Sequence, residues 1–262
     1  MLLHCAACAA GDSLLLLGEE PSSHAPALAH TGMFHRTTTH PLPAFPVGTE
    51  LHAPDGTPVF RVTGRVLLPR AAGHALYAPL LTALRVVADG PQEVSPSRRG
   101  RALAWITLSD KGFAGQRDDA SGPAIAELAR AHLPLCHEQG FLLPDDAPAL
   151  RALITELALG QGYDVICTTG GTGLGPRDVS PEATLAVLDR RLPGFEQAMM
   201  AASLAKTPHA AISRAVAGVL GGCICINLPG SRRAVVENLA AVLPALPHAL
   251  DKLHGDPADC GG

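Results

Sequence analysis

Apolar runs alternate with helical patterns through the second half of the chain, and this alternation constrains the fold most strongly. The apolar runs at residues 102–108, 139–143 and 165–167 are each followed by a segment with a helix start or helical apolar spacing. Residues 214–219 and 223–228 then suggest a hairpin ahead of a last helix. The pattern predicts a three-layer α/β/α fold with a mainly parallel sheet and one antiparallel strand.

The third strand-like run leads into a glycine-rich turn, DVICTTGGTGLGPRDVSPEAT, at residues 164–184. Ser180 and Pro181 suggest the cap and first position of the next helix. Glycines allow backbone N–H groups to converge, so the turn suits a phosphate beside a helix N-terminus. It lacks the lysine of a Walker loop and the glycine spacing of a Rossmann loop. A purely structural turn is the alternative, and the adjacent Arg177-Asp178 pair favours function.

Composition excludes several classes of protein. A chain of 262 residues with 47% hydrophobic and 17% charged residues should fold around a sizeable core. A net charge of −4 provides no broad basic field for nucleic acid or an anionic membrane. No apolar stretch approaches the ~20 residues of a membrane span, and no signal segment is visible. We therefore expect a cytoplasmic protein without nucleic-acid or membrane binding.

The first hundred residues differ in character from the rest. They contain short extended pieces such as 58–63 and 65–68, which predict a small β-rich module over residues 1–94. The Pro-, Ser- and Arg-rich residues 95–101 suggest a linker, and residues 102–262 form the α/β domain. The function of the first module stays open. His4, Cys5 and Cys8 could begin a metal site, but a single CxxC is weak and an ordinary buried turn is favoured.

Three further turns, at residues 109–122, 144–146 and 227–233, follow strand-like runs at the edge where open α/β sheets bind ligands. Ser109 and Asp110 end the first run, and Ser121 could cap the next helix. After the second run one of Asp145 and Asp146 should cap a helix, leaving the other to face the crevice. Two carboxylates from separate turns, such as Asp145 and Asp178, suit Mg²⁺-assisted phosphoryl or nucleotidyl transfer.

Six motifs together resemble one enzyme family. The glycine-rich turn is the most specific, and the others are TLSDKG with a downstream DDASG, LLPDD, RLPGFEQAMM, ISRAVAGV and INLPGS. Over residues 102–253 the chain resembles the molybdopterin adenylyltransferases of the Mog type, which are related to the plant Cnx and animal gephyrin G domains.

The resemblance implies a reaction and a set of residues. It implies Mg²⁺-dependent transfer of AMP from ATP to the terminal phosphate of molybdopterin, with Asp145 and Asp178 as catalytic residues and Mg²⁺ ligands. It also implies a homotrimer that passes its product to a molybdate-insertion (MoeA-type) protein. The implied substrate-binding residues are Ser109, Asp110, Thr169, Gly170, Gly171, Thr172, Gly173, Ser213, Asn227, Pro229, Gly230 and Ser231.

Two other functions remain open. The MoaB type, some members of which look enzymatically weak, often has Glu-Gly-Asp where this chain has Pro176-Arg177-Asp178. Such a protein would bind molybdopterin without turnover. A scaffold with a vestigial α/β domain would do neither, and the presence of Asp145, Asp178 and the glycine turn argues against it.

Overall fold

The computed structural model describes residues 1–18, 34–37, 43–69 and 75–257. Parts of the predicted β-rich module, at residues 19–33, 38–42 and 70–74, lie outside the described residues. The chain divides into two compact units, Met1–Arg99 and Gly100–Gly262. No helix in the described ranges has both the length and the apolar character needed to cross a bilayer.

The first unit is built from β-strands, as its sequence predicts. Its strands are β1 (Leu2–Cys5), β2 (Ser13–Gly18), β3 (Phe34–Thr37), β4 (Glu50–His52), β5 (Pro58–Pro69), β6 (Ala75–Ala83), β7 (Gly90–Glu93) and β8 (Ser95–Ser97). Within the described residues they pair in the order β7-β1-β3-β2-β6-β5-β4-β8. Buried apolar side chains of these strands form a core that includes Leu3, Leu16, Phe60 and Leu81.

The CxxC cysteines lie in this core. Cys5 and Cys8 are both buried, and burial is the main reason that the pKa of the Cys5 thiol rises to about 12. The pKa of Cys8 is raised for the same principal reason. Thiols in such surroundings stay protonated and poorly reactive, which agrees with the interpretation of this motif as a buried turn.

Two segments of the first unit are more regular than the sequence indicates. The break between the two compact units, at Arg99 and Gly100, falls inside the linker expected at residues 95–101. Within that segment, however, Ser95–Ser97 pairs with β4 and Arg101 already begins the next strand. The strand pairing uses backbone groups, so it does not depend on which side chains are present. Pro96 is tolerated because β8 is an edge strand. The pieces at 58–63 and 65–68 join into one strand, β5, with a register shift between Val62 and Gly64.

The second unit alternates strands and helices. Its strands are β9 (Arg101–Leu108), β10 (Leu135–Leu143), β11 (Val165–Thr169), β12 (Arg190–Arg191), β13 (Ala217–Leu220) and β14 (Cys223–Leu228). Its α-helices are α1 (Asp110–Phe113), α2 (Gly122–Arg130), α3 (Ala147–Thr155), α4 (Ser180–Leu185), α5 (Pro193–Leu204), α6 (Arg232–Val242) and α7 (Leu246–Leu253). A π-helical turn, Glu156–Gln161, extends α3, and a 3₁₀ turn, Pro208–Ile212, follows α5.

The sheet of the second unit confirms the predicted fold class. Within the described residues its order is β10-β9-β11-β14-β13-β12. The first four strands are parallel, while β13 runs antiparallel to both β14 and the short strand β12, which the sequence did not indicate. Every residue of β11 and β14 is buried, as expected for strands covered on both faces.

Leu150 and Leu159 offer a matched test of side-chain packing in the second unit. Leu150 in α3 is fully buried, whereas Leu159 in the π-helical turn is 53% exposed. We expect Leu150→Ala to lower the free energy of unfolding by about 2–5 kcal/mol, because it leaves a cavity. The same change at Leu159 should cost less than about 1 kcal/mol. Urea denaturation of both variants measures the difference, and equal losses would contradict this packing.

Candidate functional site

Four turns meet along the carboxyl edge of the sheet. They follow the neighbouring parallel strands β10, β9, β11 and β14 and begin at Pro144, Ser109, Gly170 and Pro229. Hydrogen bonds join two of the turns to the ends of neighbouring strands: the Ser109 N–H donates to the Leu143 carbonyl, and the Gly170 N–H donates to the Leu228 carbonyl. The parallel ladder therefore brings together the segments that the sequence singles out.

A cavity of about 350 Å³ opens between the turns that follow β9, β11 and β14. Of the predicted substrate-binding residues, Ser109, Thr169, Gly170, Gly230 and Ser231 line it. Five polar or charged residues that were not predicted as site residues also line it, namely Thr107, Arg117, Asp118, Asp119 and Ser121. The cavity thus presents hydroxyl groups, backbone groups, two carboxylates and one cation to a ligand.

Positive φ angles shape the start of the glycine turn. Gly170 has φ +97° and Gly171 has φ +63°, and a Cβ at Gly170 would lie 2.5 Å from the Leu108 carbonyl oxygen. Both positions therefore require glycine. The predicted cap at Ser180 is corrected: Val179 occupies the cap position of α4, and the buried Ser180 hydroxyl donates to the Gly170 carbonyl at 2.7 Å. Ser180 fastens the turn instead of the helix.

The later part of the glycine turn folds around the Asp178 carboxylate. The Gly175 N–H donates to Asp178 Oδ2 at 2.7 Å. A Cβ at Gly173 or Gly175 would lie 2.8 or 2.9 Å from the same oxygen. Glycine at these positions therefore leaves room for a carboxylate, a role that the turn's sequence alone did not reveal.

Asp110 and Asp145 face each other across the neighbouring turns. The Asp110 N–H donates to Asp145 Oδ2, and the Asp145 N–H donates to Asp110 Oδ1. Arg177, which is 64% exposed, donates to Asp110 Oδ1 at 2.7 Å and to the Asp145 carbonyl at 3.4 Å. Asp146 caps α3 by accepting from the Ala149 N–H, so Asp145 is the aspartate that stays available.

The charges around Asp145 are compatible with a bound cation. Burial raises the pKa of the Asp145 carboxyl, and the charges of Asp110 and Asp178 act in the same direction. The Asp110 N–H and Arg177 lower this pKa but do not reverse the shift. In the described ranges no three His, Cys, Asp or Glu side chains are grouped to hold a metal by themselves. Mg²⁺ commonly needs only one or two carboxylates besides water and phosphate oxygens, so Asp145 and Asp178 fit such an ion.

The turn after β9 differs from its predicted capping. The side chain of Asp119 takes the capping role expected of Ser121. It accepts hydrogen bonds from the backbone N–H groups of Ser121 and Gly122 at the start of α2. Asp119 also accepts from the Thr107 hydroxyl at 2.6 Å, which fixes the turn to the strand. The Ser121 hydroxyl is used elsewhere: it donates to the Gly230 carbonyl at 2.9 Å and links two walls of the cavity.

Other predicted site residues lie beneath or beside the cavity. Asn227 is fully buried, and its amide donates to the Thr168 and Thr184 hydroxyls, so its side chain supports the strand ends without reaching a ligand. Thr172 is also buried, and Ser213 is partly exposed at the end of the 3₁₀ turn.

One arginine that sequence reasoning missed contacts the glycine turn directly. Arg214 donates to the Gly173 and Asp178 carbonyls and pairs with Glu182. Arg214 follows the predicted site residue Ser213 in the ISRAVAGV motif, and this position is the sequence signal that could have identified it. By contrast, Arg232 and Arg233 at the start of α6 pair with the surface glutamates Glu127 and Glu237.

Comparison with known proteins gives a consistent family assignment for the second unit. A family described as a probable molybdopterin binding domain matches residues 104–248. Gephyrin of Dictyostelium discoideum is 39% identical over 161 residues, which are 58% of this chain and 22% of that protein. The molybdopterin adenylyltransferase of Haemophilus influenzae is 38% identical over 141 residues, or 53% of this chain and 72% of that one. This chain thus spans less than a quarter of the length of the gephyrin.

A solved structure agrees with the sequence comparisons. The molybdopterin biosynthesis enzyme MoaB of Thermus thermophilus superposes with a TM-score of 0.55 and 43% sequence identity. The match covers 61% of this chain and 99% of the MoaB chain. The fold of that protein therefore corresponds to a part of this chain.

The raised pKa of Asp145 yields a stability prediction. Because its ionised form is less favourable in the folded protein than in the unfolded chain, Asp145 lowers stability above that pKa. We expect Asp145→Asn to melt at or above the unsubstituted protein at pH 7. The difference should shrink as pH falls through the pKa of Asp145, where the carboxyl becomes neutral like Asn.

Asp146→Asn is the matched control for this measurement, because Asn caps a helix as well as Asp does. Its melting temperature should stay close to that of the unsubstituted protein at each pH. A lower melting temperature for Asp145→Asn at pH 7 would contradict the assignment.

Proposed function

Because this chain belongs to the family of molybdopterin-binding domains, we propose that its second unit is a molybdopterin adenylyltransferase. In the proposed reaction an oxygen of the terminal phosphate of molybdopterin attacks the α-phosphorus of ATP. The bond from that phosphorus to the β-phosphate oxygen breaks, and molybdopterin-AMP and pyrophosphate form. The observation that carries the proposal is the glycine turn closed around Asp178, beside Asp110 and Asp145.

The cavity supports the pterin part of the proposal. Its volume of about 350 Å³ falls in the range of small-molecule sites, and polar groups line it on several sides. Ser109, Ser231 and Arg117 offer hydrogen bonds to a polar heterocycle or a phosphate. We assign this cavity to molybdopterin, with its phosphate directed to the glycine turn.

The glycine turn supports the transfer step. Phosphoryl and nucleotidyl transfers rely on positioning and on charge stabilisation rather than on a covalent nucleophile. Backbone N–H groups in residues 171–173, together with the positive charge of Arg177, would stabilise the negative charge that develops on the α-phosphate oxygens. No serine or cysteine nucleophile is needed.

Asp145 and Asp178 would hold Mg²⁺ when the nucleotide is bound. The ion would offset the charge of the ATP phosphates and of the departing pyrophosphate. The mutual repulsion between Asp145 and its neighbouring carboxylates supports this role, because a divalent cation would relieve it. Arg177 already balances part of the charge through Asp110.

A second candidate function is binding of molybdopterin without transfer. It is favoured by the 43% sequence identity to a protein named MoaB. Some proteins of the MoaB type look enzymatically weak. The two functions differ in one observable, the release of pyrophosphate. For the transferase we also propose a homotrimer in the cytoplasm that passes molybdopterin-AMP to a molybdate-insertion (MoeA-type) protein.

Asp178→Asn tests the transfer directly. Asn keeps an oxygen that can accept from the Gly175 N–H, so the turn should fold normally. Loss of the negative charge should lower ATP-dependent adenylylation of molybdopterin by at least about 100-fold, the usual scale for one electrostatic contact. Initial rates of pyrophosphate release measure the effect.

Asp189→Asn is the matched control, because Asp189 accepts from the Gly221 N–H in a surface turn away from these residues. Its rate should equal that of the unsubstituted protein. Turnover at the unsubstituted rate in Asp178→Asn would exclude the proposed role of Asp178.

The division of the chain provides a second test. Residues 100–262 form a compact unit, and the match to MoaB covers 99% of that protein without needing the rest of this chain. We expect residues 100–262 alone to restore cofactor synthesis in a bacterial strain that lacks molybdopterin adenylylation. The full chain serves as the positive control, and rescue by the full chain but not by residues 100–262 would show that the first unit is required.

A further inference from the structure

Arg214 holds the glycine turn from outside the cavity. It lies between the 3₁₀ turn and β13, and it does not line the cavity. Its Nε donates to the Gly173 carbonyl at 2.7 Å and its Nη2 to the Asp178 carbonyl at 2.8 Å. Its backbone N–H donates to the Thr172 carbonyl at 2.9 Å. One residue therefore binds three carbonyls of the same turn.

The two side-chain contacts of Arg214 fall on both ends of the segment that carries Arg177. Gly173 and Asp178 bracket residues 174–177, and the Asp178 carboxylate closes the same segment from inside through the Gly175 N–H. A glycine-rich segment loses backbone entropy when it is ordered, so fixed contacts are needed to hold it. The planar guanidinium is suited to holding two fixed acceptors at once.

We propose that Arg214 is a positioning residue for adenylyl transfer. It fixes the backbone of Asp178 and thereby orients the Asp178 carboxylate. This inference rests on the proposed function of the site. Arg214 acts through Asp178 and the turn and makes no contact with the cavity where we assign molybdopterin. Its loss should lower kcat and leave KM for molybdopterin nearly unchanged.

The alternative role for Arg214 is a simple surface ion pair with Glu182. Glu182 is 59% exposed, and exposed ion pairs of that kind contribute little to stability. Substitution of Glu182 distinguishes the two roles. Glu182→Gln removes the ion pair but keeps all three contacts with the turn, so it should preserve kcat.

The experiment uses the full chain with molybdopterin, Mg²⁺ and ATP and compares kcat and KM. Arg214→Gln should lower kcat by about 10–100-fold, the scale expected when a catalytic group is misplaced by about 1 Å. Arg214→Lys keeps the charge but cannot span two carbonyls, so kcat should fall at least about 10-fold. Arg130→Gln removes a comparable Arg–Glu surface pair, with Glu138, and should change neither constant.

A second readout needs no activity. Trypsin cleaves after arginine, and Arg177 lies exposed in the segment that Arg214 holds. Because a loosened segment opens more often, cleavage after Arg177 should be at least about 5-fold faster in Arg214→Gln than in Glu182→Gln or Arg130→Gln. This measurement stays decisive if the unsubstituted protein shows no transfer, a result that would refute the proposed function instead.

Unchanged kcat together with unchanged cleavage after Arg177 in Arg214→Gln would overturn the inference. An equal fall of kcat in Glu182→Gln would also overturn it, because the ion pair would then be the important contact. If Arg214→Gln and Arg214→Lys both lose their cooperative thermal transition, Arg214 maintains the whole domain and the positioning role is refuted.

Discussion

The site depends on the hydrogen-bond ladder between four parallel strands. Parallel pairing of β10, β9, β11 and β14 makes their carboxyl ends adjacent, so turns that are up to about 120 residues apart in sequence meet at one edge. The turns are then joined by direct bonds, such as Thr169 Oγ1 to the Pro229 carbonyl at 2.8 Å. The cavity and the carboxylate pair both follow from this arrangement.

Negative charge is concentrated at this edge, and the surrounding structure tolerates it in specific ways. Asp178 receives a backbone N–H from the glycine turn, and Asp110 and Asp145 receive N–H bonds from each other. Arg177 adds a cation that remains mostly exposed. The pKa of Asp145 is still raised, first by burial and then by the charges of Asp110 and Asp178. Such a site gains from a phosphate-bound cation, and we propose that this requirement links nucleotide binding to catalysis.

The sequence predicted the fold of the second unit because strand and helix periods there are strong and agree with parallel pairing. It also predicted which turns meet, since strand ends alone determine that. It failed where a side chain had several possible acceptors. Ser121 and Ser180 both look like helix caps, yet Ser121 donates to the Gly230 carbonyl of a neighbouring turn, and Ser180 donates to the Gly170 carbonyl at the start of its own turn. Long-range contacts of Arg214 and the strand pairing of residues 95–97 likewise leave no periodic signal.

The fate of the α-phosphate of ATP distinguishes transfer from binding alone. Full-length protein is incubated with molybdopterin, Mg²⁺ and ATP labelled with ³²P at the α position, and the products are separated. We expect label to appear on the pterin in a one-to-one ratio with released pyrophosphate. Binding of molybdopterin with no labelled pterin and no pyrophosphate would contradict the proposed transfer, and would identify this domain as a pterin-binding protein without transferase activity.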